Sequence, residues 1–272
     1  MSQLMVSVLP ELRVHPVDKR IKASVAGSVV LSSGRARLVW EPRRVVPTYA
    51  VPRDDVAGQL LPFTGTAGTE HAVRLGADGP LVLDPSTPFS VHSTPGEPLT
   101  IRTEHGELAG AAFAPEDPDL DGYVVLDWSA FSQWYEEDEP VLGHPHDPFD
   151  RIDCLRSSRH VVLSVDGEVL AETRRAVLLF ETPLPARYYI PREDVRAELF
   201  EPSDLKTVCA YKGEASYLSA RVGDRLLPDV AWTYQRPLND AVPVKDMISF
   251  FTERLDLVID GAAVERPVTP WS

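Results

Sequence analysis

Two stretches of this chain read alike, and that likeness limits what it can fold into. An alternating segment enters a tight glycine turn at Gly27, and another does so at Gly167. An apolar run then ends in a carboxylate, Trp40-Glu41 in one stretch and Phe180-Glu181 in the other. Next come Tyr49-Ala-Val-Pro-Arg-Asp-Asp-Val and Tyr189-Ile-Pro-Arg-Glu-Asp-Val, with a one-residue slip between the Glu and the Pro. AFSQWYEE (130–137) resembles MISFFTER (247–254), each patterned as a short amphipathic helix near the end of a copy. His15-Pro16 is echoed by His144-Pro145. The expectation is a tandem duplication: a degenerate first copy over residues 1–142 and a second over 143–272, joined through the polar run LGHPHDPFDR. Each copy, at about 120 residues, is large enough for its own core.

Proline sets the texture. The chain holds 25 Pro against 16 Gly, and Pro is excluded from helix interiors and central strands. Short elements and many turns follow, so mainly β structure is expected, with antiparallel pairing between sequential strands. Hairpins are expected at Gly27, Asp166-Gly167 and Gly223-Asp224. Further strands of the first copy are expected at 72–75, 81–83, 89–92, 99–103 and 123–127, and of the second at 216–222, 225–227 and 255–259.

Charge and cysteine content narrow the function. A net charge of −14 and a pI near 4.9 disfavour nucleic acid and anionic lipid as partners. No apolar run approaches the ~18 residues of a membrane helix, and MSQLMVSVLPELR has no basic region or cleavage site of a secretory signal. Two cysteines, Cys154 and Cys209, are too few for a disulfide framework or a four-thiolate zinc site. A cytoplasmic protein without cofactor or metal is the expectation.

The second copy resembles a known family. HPHDPFDRID, RRAVLLFETPLPARYYIPREDV, CAYKGEASY, VAWTY and FFTERLDLVIDG together are similar to the bacterial family catalogued as domain of unknown function 427. The likeness is strong over residues 142–261 and weaker over 14–138. It implies a β-tent-like fold, two small antiparallel sheets meeting at an angle with a short helix. Related folds bind small ligands or peptides, or carry a structural zinc whose cysteines this family and this chain lack. The resemblance implies no established activity. Members similar to this chain tend to have Trp after the Tyr of the Lys-Gly segment, where Leu218 follows Tyr217 here; a Trp lining the ligand site would make this pocket different. A nucleotidyltransferase label attached to the family finds no support in the residues: Gly27-Ser28 has no Asp-x-Asp pair downstream, and there is no P-loop or G-x-G-x-x-G.

Candidate chemistry gathers in the second copy. Glu181, Arg187 and Lys212 sit in apolar, strand-like segments, where a charge is costly unless paired. They are either a structural buried pair or the polar floor of a pocket. The first copy keeps the acid as Glu41, has Thr48 in place of Arg187, and has nothing like Cys-x-Tyr-Lys-Gly, which suggests a role confined to the second. Lys212 could hold an anion, act as a base or form a Schiff base. Gly213 supplies either a close approach or a turn. Cys209 is either a thiolate activated by a neighbouring cation or a small buried residue. Tyr211, Tyr217, Trp232 and Tyr189, with Tyr188 and Tyr234, are pocket walls or plain core. Alternation puts Trp232 and Tyr234 on one face and opposes Tyr188 to Tyr189.

Other groups read as bland. His144, His146, Asp147 and Asp150 have loose spacing for a metal. Asp117-Pro-Asp-Leu-Asp-Gly opens like a calcium loop but ends on Trp128 where an acid belongs. Glu136 to Glu139 is an acidic run of the solvated kind. The functional expectation is a binding module whose second-copy pocket holds a small ligand through Arg187, Lys212 and the aromatics. The alternatives are an enzyme using Lys212 or Glu181 as acid–base groups, with Cys209 as nucleophile, and an interaction scaffold.

Overall fold

The computed structural model describes residues 7–74, 79–181 and 184–269. Residues 1–6 of the entry segment, Leu75 of the strand expected at 72–75, and Thr182 of the Glu-Thr pair lie outside the described residues. Two compact units divide at Asp147/Pro148.

The first unit contains β1 (Arg13–Pro16), β2 (Ile21–Val25), β3 (Ser28–Ser33), β4 (Arg37–Trp40), β5 (Thr48–Pro52), β6 (Gln59–Pro62), β7 (Ala72–Arg74), β8 (Leu81–Leu83), β9 (Gly96–Thr103), β10 (Gly106–Pro115), β11 (Tyr123–Leu126), β12 (Gln133–Glu136) and β13 (Glu139–Val141). The second contains β14 (Ile152–Arg156), β15 (Val161–Val165), β16 (Glu168–Thr173), β17 (Val177–Glu181), β18 (Arg187–Tyr189), β19 (Phe200–Cys209), β20 (Gly213–Val222), β21 (Arg225–Thr233), β22 (Ile248–Phe250), β23 (Asp256–Ile259) and β24 (Ala262–Val264). The protein is mainly β, and the pairing within its main sheets is antiparallel.

The hairpin turns form where the sequence places them. Ala26-Gly27 and Asp166-Gly167 both have positive φ at each central residue, at 51°/82° and 51°/83°. That is the type I′ turn, whose twist matches the flanking strands. Beyond the turns, apolar residues alternate inward. β15 buries Val161, Leu163 and Val165, and β2 buries Ile21 and Ala23.

Strand order is shared by the units. In the first, the main sheet runs β1-β4-β5-β11-β10-β9-β6 and faces β13-β12-β2-β3 across one apolar core. In the second, β14-β17-β18 and β19-β20-β21-β22 are separate sheets, and the facing sheet is β16-β15-β23-β24. A single bridge, Ile190 to Ile248, with backbone bonds of 2.8 and 2.9 Å, joins β18 to β22. Read across that bridge, the order is the one in the first unit. There β5 and β11 pair over three residues instead.

Register is shared too. Val39 lies opposite Thr48, and Leu179 opposite Arg187. Bulges interrupt β2–β3 at Ala23/Ser24 and β15–β16 at Leu163/Ser164. Asp55 accepts from Ser33 Oγ and Arg35, both at 2.6 Å, while Asp194 accepts from Thr173 Oγ1 and Arg175, also at 2.6 Å.

Three expectations are corrected. Residues 130–137 and 247–254 are not helices: a 3-10 turn (Trp128–Ala130) leads into β12, and 247–254 holds β22. Trp134 and Glu136 alternate inward with period two, and that burial decides the outcome. The short helices near the unit ends are the 3-10 segments Trp128–Ala130 and Asn239–Val244. Nor do 130–137 and 247–254 correspond. β12 pairs with β2 through Trp134–Ala23, as β23 pairs with β15 through Leu257–Leu163, and β11 holds the place of β22. Residues 89–92 form no strand; Phe89 and His92 pack edge to face at 5.0 Å.

Gly167→Ala places a β-carbon at φ +83° with open space around it, so the penalty comes from backbone strain alone. Urea denaturation of this variant is expected to show a loss of about 1 kcal/mol, and Gly167→Asn a smaller one.

Candidate functional site

The outer face of the second unit's main sheet carries the expected residues. Alternation sends Leu178 and Tyr188 to the core between sheets, and Val177, Leu179, Tyr189, Trp232 and Tyr234 to the outer face. Ala241 and Val244 of the 3-10 segment cover that layer.

Two ion pairs are set into it. Lys212 bonds Glu181, each with 11 % of its side chain exposed. Arg187 grips Glu253 with two bonds of 2.7 Å, and the Glu253 side chain is fully buried. Thr269 Oγ1 donates a further bond of 2.7 Å to Glu253. The Arg187 guanidinium lies 5.5 Å from the Trp232 ring centroid and 5.7 Å from Phe251, so its flat faces meet π surface while its edge meets the carboxylate.

Lys212 sits in the short turn between β19 and β20, which Gly213 makes possible. Gly213 has φ +95°, and a β-carbon there would lie 3.2 Å from the Arg236 carbonyl oxygen. It therefore provides both the turn and the close approach; Leu238 N donates to Lys212 O at 3.2 Å. Cys209 is half-buried and near enough to Lys212 to act on its ammonium. Burial pushes the Lys212 ammonium down, but Glu181 and Cys209 push it up and prevail, leaving it above its ordinary value. Burial raises Tyr189 and Tyr234 as well.

The aromatic residues divide. Trp232 Nε1 donates to Tyr189 Oη at 3.1 Å, and the Trp232 ring meets Phe251 at 4.7 Å and Tyr217 at 6.5 Å. Tyr217 and Phe251 are half-buried and nearly parallel at 16°. Tyr211 is buried, with the Arg151 guanidinium 6.0 Å from its ring. Leu218 packs into the core between sheets. A Trp at that position would not wall the Lys212 face. The structure thus gathers Glu181, Arg187, Tyr189, Cys209, Lys212, Tyr217 and Trp232 on one face. Glu253 and Phe251 join them, unforeseen because 247–254 reads as a helix in the sequence.

The first unit neutralises its buried acid differently. Glu41 is 3 % exposed and accepts from Thr94 Oγ1 at 2.9 Å, with His92 Nδ1 at 3.2 Å and Arg44 Nε at 3.6 Å. His92 stacks on Phe113 at 3.6 Å. Thr48 donates to the Val39 carbonyl at 3.4 Å. The acid at this position thus has a different partner set in each unit.

Glu136 holds the segment leading out of the first unit. It accepts from Lys19 Nζ at 2.5 Å, Tyr49 Oη at 2.7 Å and the His146 amide at 3.2 Å, and His146 Nδ1 lies 3.1 Å away. Burial pushes its carboxyl up, but bonds from His146, Lys19 and Tyr49 prevail and bring it to about 2. Among the described residues no cluster of His, Cys, Asp or Glu could hold a metal. No described helix is long and apolar enough to cross a membrane.

Residues 153–261 match the family model described as domain of unknown function (DUF427), within the second unit. No curated protein matches the chain.

Two predictions follow from these pairs. Lys212→Met strands a buried carboxylate and is expected to cost about 3 kcal/mol in urea denaturation, most of it restored by adding Glu181→Leu. Glu136 has a depressed pKa, so its stabilisation is complete above about pH 5 and fades as pH falls toward 2. Denaturation at pH 7, 4 and 2.5 is expected to show a shallower acid loss in Glu136→Gln than in wild type.

Proposed function

We propose that the chain is a tandem two-copy form of this family, and that its second copy is a binding module for a small polar-aromatic or anionic ligand. Shared strand order, shared bulges and the paired Asp55 and Asp194 clamps support the duplication. Exposed parts of Tyr217 and Phe251, with Trp232 behind them, give the ligand apolar area, and the Lys212–Glu181 pair lies on the same face.

Binding is favoured over catalysis by one observation: the lysine and the two buried tyrosines of the cluster are held further from neutrality. A general acid or base works best with a pKa near the operating pH. Lys212, Tyr189 and Tyr234 are all raised, and Arg187 is committed to Glu253. The contact between Lys212 and Cys209 favours a second reading, an enzyme with Cys209 as a thiolate nucleophile.

Two measurements test the pair of readings. Ligand-observed NMR screening of aromatic acids and nucleosides against the full chain is expected to find a binder that Tyr217→Ala weakens about tenfold without change in Tm; an unchanged screen removes the binding site from this face. Iodoacetamide alkylation of Cys209 is expected to be no faster in wild type than in Lys212→Met. Rapid labelling that persists well below neutral pH, and slows in Lys212→Met, would instead establish the nucleophile.

A further inference from the structure

A second feature of this unit shares none of the candidate residues of the Lys212 cluster, although its Val177 and Met247 belong to the same apolar layer. An open groove of about 660 Å³ is lined by Arg156, Ser157, Ser158, Arg174 and Arg175 along one side. Its apolar wall includes Val177, Pro191, Pro243 and Met247.

The three arginines differ in what they already bind. Arg175 is engaged: it donates to Asp194 at 2.6 Å and to Glu193 at 3.2 Å. Arg156 and Arg174 are exposed, and among the described residues neither side chain makes a hydrogen bond or ion pair. Asp260, which feels the charge of Arg174, is already occupied by Arg159 at 3.0 Å and the His160 amide at 2.9 Å. The groove thus presents two guanidinium groups without an ion-pair partner among the described residues, on a chain of net charge −14.

Comparison between the units separates scaffold from recognition. Val17 N bonds Ala36 O as Ser157 N bonds Ala176 O, so the two stretches superpose residue by residue. Arg175 then corresponds to Arg35, and each clamps an aspartate. Arg156 corresponds to Pro16, Ser158 to Asp18 and Arg174 to Gly34. The arginine that holds the fold is kept in both units. The two without a partner, and the serine beside them, occur only in the second, and an aspartate in the first takes the serine's place.

We propose that this groove is a binding site for an organic anion, a phosphate or carboxylate carrying a compact apolar group. Arg156 and Arg174 donate to the anionic oxygens, the Ser158 hydroxyl is placed to add a third donor, and the apolar body lies against Val177, Pro191, Pro243 and Met247. Arginine suits this task because its planar fork matches both oxyanions. The site uses no residue of the Lys212 cluster, so it stands or falls apart from the reading above.

Isothermal titration of the full chain with phenyl phosphate, benzoate and inorganic phosphate tests it. Saturable binding at one site is expected for phenyl phosphate or benzoate, and whichever binds tighter identifies the oxyanion. Inorganic phosphate is expected to bind at least tenfold more weakly than the better organic probe. Arg156→Ala and Arg174→Ala are each expected to weaken binding about tenfold, with Tm in the absence of probe unchanged because neither supports the fold. Arg53→Ala with Arg74→Ala, which removes two charges from the first unit, is expected to leave affinity unchanged. Absence of saturable binding, equal loss in that control, or wild-type affinity in the Arg156/Arg174 double variant overturns the site. Equal affinity for inorganic phosphate overturns the role of the apolar wall.

Discussion

A carboxylate buried at the end of an apolar strand must be neutralised, and the outer layer of each unit is arranged around that requirement. Glu41 and Glu181 occupy the same position in the shared order, and each carboxylate is costly to bury without a donor. In the first unit the donor comes from the long connection between β8 and β9, which also brings His92 onto Phe113. In the second it comes from the short turn after β19. The segment that supplies the donor therefore also decides which side chains cover the sheet. One requirement, met by different connections, gives two different surfaces on one scaffold.

Much of the scaffold was legible because it rests on local rules. The glycine turns at Gly27 and Gly167 are forced by backbone conformation, and the alternating strands around them have one buried face. The pairing of Glu41 with Glu181, and the slip before Pro52 and Pro191, agrees with the observed register. What failed were segments whose conformation is set by distant partners. AFSQWYEE has an amphipathic helical pattern, yet β2 is there to receive it as a strand. Residues 89–92 alternate like a strand, yet His92 is used to stack and to bond Glu41.

The site was legible in part. Charges within apolar runs pointed to Glu181, Arg187 and Lys212, and these do gather on one face. Their pairing was not readable, because Glu253 lies 66 residues from Arg187 in a stretch that looks helical. Arg156 and Arg174 carried no signal in a single pass, since an exposed arginine is ordinary. They stand out only once the register sets them against Pro16 and Gly34.

The lone bridge between Ile190 and Ile248 gives the second unit a property the first lacks. Its outer strands meet across two backbone bonds, where the first unit has a continuous ladder. Protection against amide exchange depends on how much must open together. A continuous seven-stranded ladder yields as one piece. In the second unit the backbone seam is a single residue pair, and side chains close the rest of it: Lys212 with Glu181, Arg187 with Glu253 and Trp232 with Tyr189 all reach across. The coherence of the second unit's sheet therefore rests on side chains where the first unit's rests on backbone.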